Sequence, residues 1–307
     1  MSDNNSSNQL LSVDDISSSA IKDIFSRALE FKSKGFSNSN IYKLGYENAP
    51  VVGLAFFEPS TRTKLSFDSA AQRIGCKTIG FDDPASTSSA KGEQLVDTIR
   101  VIEKYCDAIV IRRKEFGTID IIRDNVTKPI VSAGVGAYEH PTQGLLDVFT
   151  ISQHRDLSSI KNIVSYGDLI NSRVMYSQVR LLAREGITFT FVADDDMQID
   201  FVLEQDLKSR GAKVVRSKSL IDVIEDADVL SVLRPQKERW GSTEHNIYPP
   251  VNNETISMMK SDALILHPLP RTGELTIETD SDPRSLIWEQ VENGLFIRAA
   301  ILEWMLS

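Results

Sequence analysis

The residues best suited to chemistry are three hydroxyls and one guanidinium in a row, at Ser60, Thr61, Arg62 and Thr63. They follow the apolar run Val51 to Phe57, which predicts a buried strand, and they begin a helical stretch from Lys64 to Ile74. Unpaired amides at a helix start attract phosphate, and hydroxyls and a planar guanidinium add donors suited to an oxyanion. The cluster therefore predicts a phosphate site. The alternative is a plain Ser/Thr helix cap beside a surface arginine.

A second polar cluster, His140-Pro141-Thr142-Gln143, has the same strand, loop and helix order. The apolar segment Pro129 to Ala133 precedes it, and a predicted helix from Gln143 to about His154 follows. Proline restricts the backbone of the residue before it, so the His140 imidazole is aimed at a fixed point. Ligands of open α/β sheets bind at the carboxyl ends of strands, so we expect His140 and Gln143 to share a site with Arg62.

Two more polar clusters follow predicted strands in the second half of the chain. Arg234 to Arg239 comes directly after Val229 to Leu233, and His267 to Arg271 comes after Ala263 to Leu266. Prolines stiffen the second cluster and expose backbone carbonyls that can accept hydrogen bonds from an NH2 group. Taken alone, this cluster is more typical of a rigid turn.

Apolar strands that alternate with amphipathic helical stretches predict the fold class that positions these clusters. We expect an α/β protein of two domains, each a mostly parallel sheet covered by helices on both faces. The predicted domains are residues 1–146 and 147–285, with a C-terminal helix at about 286–307 that packs back on the first. A leading helix is predicted from about Val13 to Lys32, with Ser12 as its cap.

Composition sets limits on function rather than naming one. The 307 residues are 41% hydrophobic and 25% charged, the balance of a globular protein, with no apolar run long enough to span a bilayer. The polar segment Met1 to Gln9 predicts a frayed tail of a cytoplasmic protein. The net charge of -9 argues against nucleic acid as a partner. Cys76 and Cys106 predict reduced thiols in a core rather than a zinc site.

All four clusters together carry a resemblance to a known family. Phe56 to Thr63 resembles the carbamoyl phosphate motif of the carbamoyltransferases, and the other three clusters fall in the order and spacing of the aspartate carbamoyltransferase family. The resemblance covers nearly the whole chain. It implies transfer of the carbamoyl group from carbamoyl phosphate to the α-amine of L-aspartate, an early step of pyrimidine biosynthesis, with neither metal nor other cofactor.

The resemblance also implies roles for individual residues. Carbamoyl phosphate would be bound by Ser60, Thr61, Arg62, Thr63, Arg112, His140, Gln143 and the carbonyls of Leu269 and Pro270. Aspartate would be bound by Lys91, Arg173, Arg234 and Gln236. The residues that act on the reacting atoms would be Arg62, Thr63, Lys91, Arg112 and His140.

The serine-rich loop from Ala85 to Gln94 by itself predicts only exposed, mobile chain. A function for this loop is implied by the resemblance alone. In the family it reaches into the active site of the neighbouring subunit of a homotrimer. Lys91 matches the lysine of that loop, and Ser88 is the favoured serine, with Thr87 and Ser89 left as alternatives. The resemblance leaves regulatory chains open as further partners.

Two other functions compete with this interpretation. An ornithine carbamoyltransferase would share the first two clusters, but Arg234 would repel a cationic acceptor, and Pro268 occupies a place where a cysteine is typical. A non-catalytic scaffold for other pyrimidine enzymes would have lost phosphate or carbonyl ligands, whereas all of them are present here.

Overall fold

The computed structural model describes residues 8–43, 47–82, 92–115, 117–136, 139–183, 187–240 and 248–307. Contacts divide the chain into two compact units. Unit 1 is Met1–Thr142 with Glu292–Ser307, and unit 2 is Gln143–Val291. The domain bounds that the sequence predicts, 1–146 and 147–285, stay a prediction.

Unit 1 is built on a parallel sheet with the strand order β1-β5-β4-β2-β3 among the described residues. Its strands are β1 (Gln9–Leu10), β2 (Val51–Phe56), β3 (Lys77–Phe81), β4 (Ala108–Arg113) and β5 (Ile130–Val135). The helices that flank it are α1 (Ser18–Lys34), α2 (Thr61–Arg73), α3 (Leu95–Tyr105) and α4 (Thr118–Asn125). The inner strands β2, β4 and β5 are almost wholly buried, which explains why they read as continuous apolar runs.

Unit 2 repeats this plan with the strand order β10-β9-β6-β7-β8, again all parallel. The strands are β6 (Asn162–Gly167), β7 (Thr188–Val192), β8 (Lys213–Ser217), β9 (Val229–Leu233) and β10 (Leu264–Leu266). The helices are α5 (Pro141–His154), which begins two residues before the unit does, α6 (Arg173–Leu182), α7 (Phe201–Ser209) and α8 (Asn253–Ser257). The predicted α/β class with two parallel sheets is therefore confirmed.

The last helix, α9 (Ile287–Leu306), starts in unit 2 and completes unit 1. Within unit 1, Glu303 of α9 accepts a hydrogen bond from Arg27 of α1, with 2.6 Å between Nε and Oε1. The same carboxylate accepts the backbone N–H of Asn40 at 2.9 Å. Asn8, just before β1, donates to the carbonyl of Trp304 at 2.7 Å. These contacts fix the end of α9 against the beginning of the chain.

The predicted leading helix is wrong at its start. Val13–Asp15 is a separate 3-10 turn whose capping box uses Ser12 and Asp15, and α1 begins only after Ser17, whose side chain accepts the N–H of Ala20. Two adjacent serine caps thus split one apolar pattern into two elements.

The predicted tail, Met1 to Gln9, is wrong at Gln9, which is in β1 and pairs with Ile130 of β5. Residues 1–7 lie outside the described residues. Cys76 and Cys106 are buried and unpaired with each other, as expected for core thiols, and burial raises the pKa of Cys76 to about 12. Of the helices in the described ranges, none combines the length and apolar character that a membrane crossing requires.

Candidate active site

Three of the predicted ligand groups in unit 1 meet at one edge of its sheet. Phe56 at the end of β2 is in register with Arg112 of β4, and the N–H of Phe57 donates to the Arg112 carbonyl at 2.8 Å. The strand on the other side of β4 is β5, which leads towards His140. The carboxyl ends of β2, β4 and β5 therefore bring Ser60 to Thr63, Arg112 and His140 to the same side of the sheet.

The start of α2 has the features of an anion site rather than of a plain capped helix. Ser60 is the N-cap residue, yet its side chain makes no capping hydrogen bond to the described helix. Its backbone carbonyl accepts the first helical N–H, from Lys64, at 3.1 Å. Thr61 and Arg62 are exposed, while Thr63 is only 7% exposed. The first-turn amides, the exposed guanidinium and the serine hydroxyl can together meet a phosphate.

Arg112 is held in a fixed orientation at this edge. Its Nη1 donates to the carbonyl of Ala133 in β5 at 3.0 Å, and its Nε lies 2.9 Å from Glu58 Oε1. A guanidinium fixed by a strand carbonyl and a carboxylate loses little rotational freedom when it meets an oxyanion.

His140 is 6% exposed, and its Nδ1 lies 3.5 Å from Thr142 Oγ1. The preceding residue, Glu139, anchors the segment, because its carboxylate accepts the Ser12 hydroxyl and the Val13 N–H, each at 2.8 Å. The imidazole is therefore carried by backbone that is tied to the first turn of the chain.

In unit 2, the carboxyl ends of the adjacent strands β6, β9 and β10 carry the second group of predicted residues. Asp168, directly after β6, organises this edge, although only a single preceding glycine marks it in the sequence. It is fully buried, and its Oδ2 accepts the Gln236 backbone N–H and the Trp240 indole N–H at 2.9 Å each. Its Oδ1 accepts the Asn171 side-chain amide at 2.8 Å. One carboxylate thus joins the loops that follow β6 and β9.

Gly167 allows this close approach. It has a φ of 123°, and a Cβ there would lie 2.2 Å from the Leu233 carbonyl oxygen and 2.6 Å from the Tyr248 hydroxyl. Only glycine fits both the backbone angle and the space.

Arg234 and Gln236, predicted to bind aspartate, already have partners within unit 2. Arg234 forms a two-point ion pair with Glu238, and this hydrogen bonding raises the pKa of Arg234 and lowers that of Glu238. The Gln236 side chain donates to the Asn171 carbonyl at 2.6 Å. Arg173 is the first residue of α6 and is largely buried, and the preceding Ser172 caps that helix.

Leu269 and Pro270 form the turn after β10. Leu269 has a φ of 55°, which is unusual for a residue with a side chain, and its N–H donates to His267 Nδ1 at 2.9 Å. The peptide bond between Leu269 and Pro270 is cis. Gln143 lies in the first turn of α5. The remaining predicted site residues, Ser88 and Lys91 with the alternatives Thr87 and Ser89, lie outside the described residues.

Two family profiles account for nearly the whole described chain. The carbamoyl-P binding domain of aspartate/ornithine carbamoyltransferase matches residues 8–153, and the Asp/Orn binding domain matches residues 160–305. The chain belongs to the aspartate/ornithine carbamoyltransferase family.

Individual members of the aspartate/ornithine carbamoyltransferase family support the same assignment. An aspartate carbamoyltransferase catalytic subunit of Clostridium kluyveri is 34% identical over 298 residues, which cover 95% of this chain and 96% of that protein. The corresponding subunit of Vibrio vulnificus is 39% identical over 264 residues, 84% of this chain and 85% of its own.

A solved family structure, aspartate transcarbamoylase from Trypanosoma cruzi in complex with carbamoyl aspartate and phosphate, has a TM-score of 0.84 and 30% identity to this chain. The match covers 97% of this chain and 96% of the other. The resemblance inferred from the four sequence clusters is confirmed.

Proposed function

We propose that this chain is an aspartate carbamoyltransferase, a carbamoyl-group transferase that converts carbamoyl phosphate and L-aspartate into N-carbamoyl-L-aspartate and phosphate. Relatives that are 34% and 39% identical are aspartate carbamoyltransferase catalytic subunits. Similar Trypanosoma cruzi structures hold carbamoyl phosphate with aspartate, or N-(phosphonacetyl)-L-aspartic acid. The family also includes ornithine enzymes, so the choice of acceptor depends on these relatives and on Arg234.

The proposed binding of the carbamoyl donor, carbamoyl phosphate, is supported by the edge that β2, β4 and β5 share. In the proposal, the phosphate lies on the start of α2 against Ser60, Thr61, Arg62 and Thr63. Arg112, fixed by Ala133 and Glu58, reaches the phosphate and the carbonyl oxygen. Helix amides, hydroxyls and two guanidiniums together offset the charge of a dianion.

The acceptor half is assigned to unit 2. Arg173 and Arg234 each clamp one carboxylate of aspartate, Gln236 assists, and Lys91 completes the site. The Glu238 carboxylate already holds the Arg234 guanidinium in place. The substrate carboxylate therefore replaces Glu238 as the partner of a guanidinium that is already oriented. Planar two-point pairing favours a carboxylate over the ammonium of ornithine.

The reaction follows from positioning and charge. The neutral α-amine of aspartate attacks the carbamoyl carbon, and the carbonyl oxygen becomes an oxyanion that Thr63, Arg112 and His140 stabilise by donating hydrogen bonds. Gln143 and the carbonyls of Leu269 and Pro270 hold the carbamoyl NH2. The intermediate then releases phosphate, which takes up the amine proton. Two oriented substrates need no covalent enzyme intermediate.

The proposal extends to assembly and location. A homotrimer would place Ser88 and Lys91 of one chain in the active site of its neighbour, in a cytoplasmic enzyme of pyrimidine biosynthesis, with regulatory chains as possible further partners. Residues 1–146 with the C-terminal helix would form the carbamoyl phosphate domain, and residues 147–285 the aspartate domain.

One assay tests the proposed reaction. Purified chain is supplied with carbamoyl phosphate and either aspartate or ornithine, and the carbamoylated product and phosphate are measured. We expect product from aspartate and none above background from ornithine. Product from ornithine alone would overturn the assignment.

A further inference from the structure

A buried carboxylate in unit 2 accepts hydrogen bonds from two glutamines, one of which is proposed above to bind the substrate. Asp147 lies on α5 one turn after Gln143 and is 1% exposed. Its Oδ1 accepts hydrogen bonds from two side-chain amides, Gln143 Nε2 at 3.0 Å and Gln290 Nε2 at 2.8 Å. An ionised carboxylate can only accept, so both glutamines must direct their NH2 groups at Asp147.

The second glutamine extends the network to the turn after β10. Because Gln290 Nε2 faces Asp147, its Oε1 faces the other way and accepts the backbone N–H of His267 at 2.9 Å. The His267 imidazole then accepts the Leu269 N–H at Nδ1, so its Nε2 carries the proton and donates to Glu274 Oε1 at 2.7 Å. Asp147, Gln290, His267 and Glu274 are all buried.

The two ends of this network are the groups assigned above to the carbamoyl NH2. At one end, Gln143 has its NH2 engaged by Asp147, so its carbonyl oxygen is the group it can present to a ligand. At the other end, Leu269 has its N–H engaged by His267, which leaves its carbonyl as an acceptor. Both ends therefore offer acceptors, and an NH2 supplies two donors whereas a methyl group supplies none.

We propose that Asp147 is a positioning residue that makes the donor site select acyl phosphates bearing an NH2 over those bearing a methyl group. It acts directly on Gln143, and through Gln290 and His267 on Leu269. This inference rests on the proposed function, since it takes carbamoyl phosphate as the donor. A site built to bond an NH group rejects an analogue that lacks it, because buried acceptors are then left unpaired.

The substitution Asp147→Ala tests the proposal, because it removes the oxygen that both glutamines share, whereas the carbonyl oxygen of an asparagine could still accept from both. With no carboxylate to hold its NH2, the Gln143 amide can turn over and present that NH2 to the carbamoyl NH2. We expect kcat/KM for carbamoyl phosphate to fall about ten- to a hundredfold. The inhibition constant of acetyl phosphate, measured against carbamoyl phosphate, should change by less than about threefold. The readout, called here the carbamoyl to acetyl ratio, is kcat/KM for carbamoyl phosphate compared with the inhibition constant of acetyl phosphate. A general loss of folded protein changes no inhibition constant.

A matched control is Asp228→Ala, in another buried aspartate of unit 2. Asp228 accepts the backbone N–H groups of Lys161 and Asn162, at 2.6 and 2.9 Å. This variant should lower the melting temperature and leave the carbamoyl to acetyl ratio unchanged. If Asp147→Ala does not fold, Gln290→Leu removes one donor to Asp147 and the acceptor of the His267 N–H, and it should shift the ratio in the same direction.

The outcomes separate the two proposals. An active wild-type chain whose folded Asp147→Ala or Gln290→Leu variant keeps the wild-type ratio would overturn the role of Asp147 alone. A wild-type chain with no carbamoyl transfer to aspartate would overturn the proposed function, and this inference with it. An equal shift in the Asp228→Ala control would also overturn the positioning role, because it would make the effect one of stability.

Discussion

Arg234 illustrates how a single side chain can be prepared for a substrate before the substrate arrives. Its guanidinium is partly buried and is held in a plane by Glu238, four residues later. Arg234 also donates to the Pro235 carbonyl at 3.2 Å. A substrate carboxylate that met this group would displace the exposed carboxylate of Glu238.

We predict that Arg234→Ala severely weakens the use of aspartate and leaves carbamoyl phosphate binding nearly intact. A charge-assisted hydrogen bond is worth about 1.5 to 3 kcal/mol, so kcat/KM for aspartate should fall by at least about tenfold. Steady-state kinetics with each substrate varied in turn measure both effects. Arg216→Ala, which breaks an exposed pair with Glu204 in the same unit, is the control and should change neither. Unchanged aspartate kinetics in Arg234→Ala would remove this residue from the site.

For His140→Ala, we predict that kcat falls more than carbamoyl phosphate binding weakens. A donor to a developing oxyanion acts mainly in the transition state, where removing one costs about 10²- to 10³-fold in kcat. Turnover rates and equilibrium binding of carbamoyl phosphate separate the two effects. His154→Ala, which loses a surface contact with Glu289, is the matched control. A loss confined to carbamoyl phosphate binding would contradict the oxyanion role.

The sequence could predict residues whose type and place after a strand already suggest a ligand, such as Arg62 and His140. It could not predict Asp147 or Asp168. Asp147 accepts a hydrogen bond from Gln290, 143 positions away in the chain, and Asp168 accepts one from Gln236, 68 positions away. Nor could it show that Gly167 is required, because the atoms that exclude a side chain belong to Leu233 and Tyr248.

At the scale of elements, the turn after β10 is stabilised by one buried carboxylate. Glu274 accepts the imidazole of His267 and both the N–H and the hydroxyl of Thr272. Burial acts to raise the pKa of Glu274, but these hydrogen bonds outweigh burial and lower it below the ordinary value. The turn that carries Leu269 is therefore coupled to an ionised group.

This coupling predicts a pH dependence of stability. Because the folded-state pKa of Glu274 is depressed, its contribution is present above the pKa of the unfolded chain and is lost as the pH falls through the folded-state value. Glu274→Gln should therefore destabilise the protein at neutral pH, and its difference from wild type should shrink in acid. Urea unfolding over a pH series measures this. The exposed substitution Glu225→Gln should show no such trend, and a difference that is constant with pH would contradict the prediction.

Element type was predictable where the pattern was long or wholly apolar, and element bounds were not. The predicted segments Val51 to Phe57 and Pro129 to Ala133 match β2 and β5 to within two residues, because burial on both faces requires a continuous apolar run. The split between the first 3-10 turn and α1 was missed, because it depends on which of two nearby serines caps which element. Short α4 and α8 give too little periodicity to be seen in a single sequence.

At the scale of the whole molecule, the proposed homotrimer gives the sharpest test of Lys91. If Lys91 acts on the substrates of a neighbouring chain, Lys91→Ala and Arg62→Ala should each be nearly inactive but should rescue each other when mixed and reassembled. Some mixed trimers would then contain an active site with both wild-type residues, drawn from different chains. Activity before and after subunit exchange is the measurement.

The control for this rescue is each variant exchanged with itself, which should stay inactive. Rescue should increase with the extent of exchange between the two variants. Mixtures that stay inactive after complete exchange, or a fully active isolated monomer, would contradict both the trimer and the role of Lys91 in trans.

The placement of α9 has a consequence for the order in which the protein is made. Unit 1 contains the earliest residues of the chain, yet it also requires residues 292–307, which a ribosome adds only after all of unit 2. The hydrogen bonds from Arg27 and Asn40 to Glu303 cannot form before then. Domains often fold in the order of synthesis, N-terminal first. Here the continuous second unit can fold on the nascent chain while the first is still incomplete, so unit 1 is completed last.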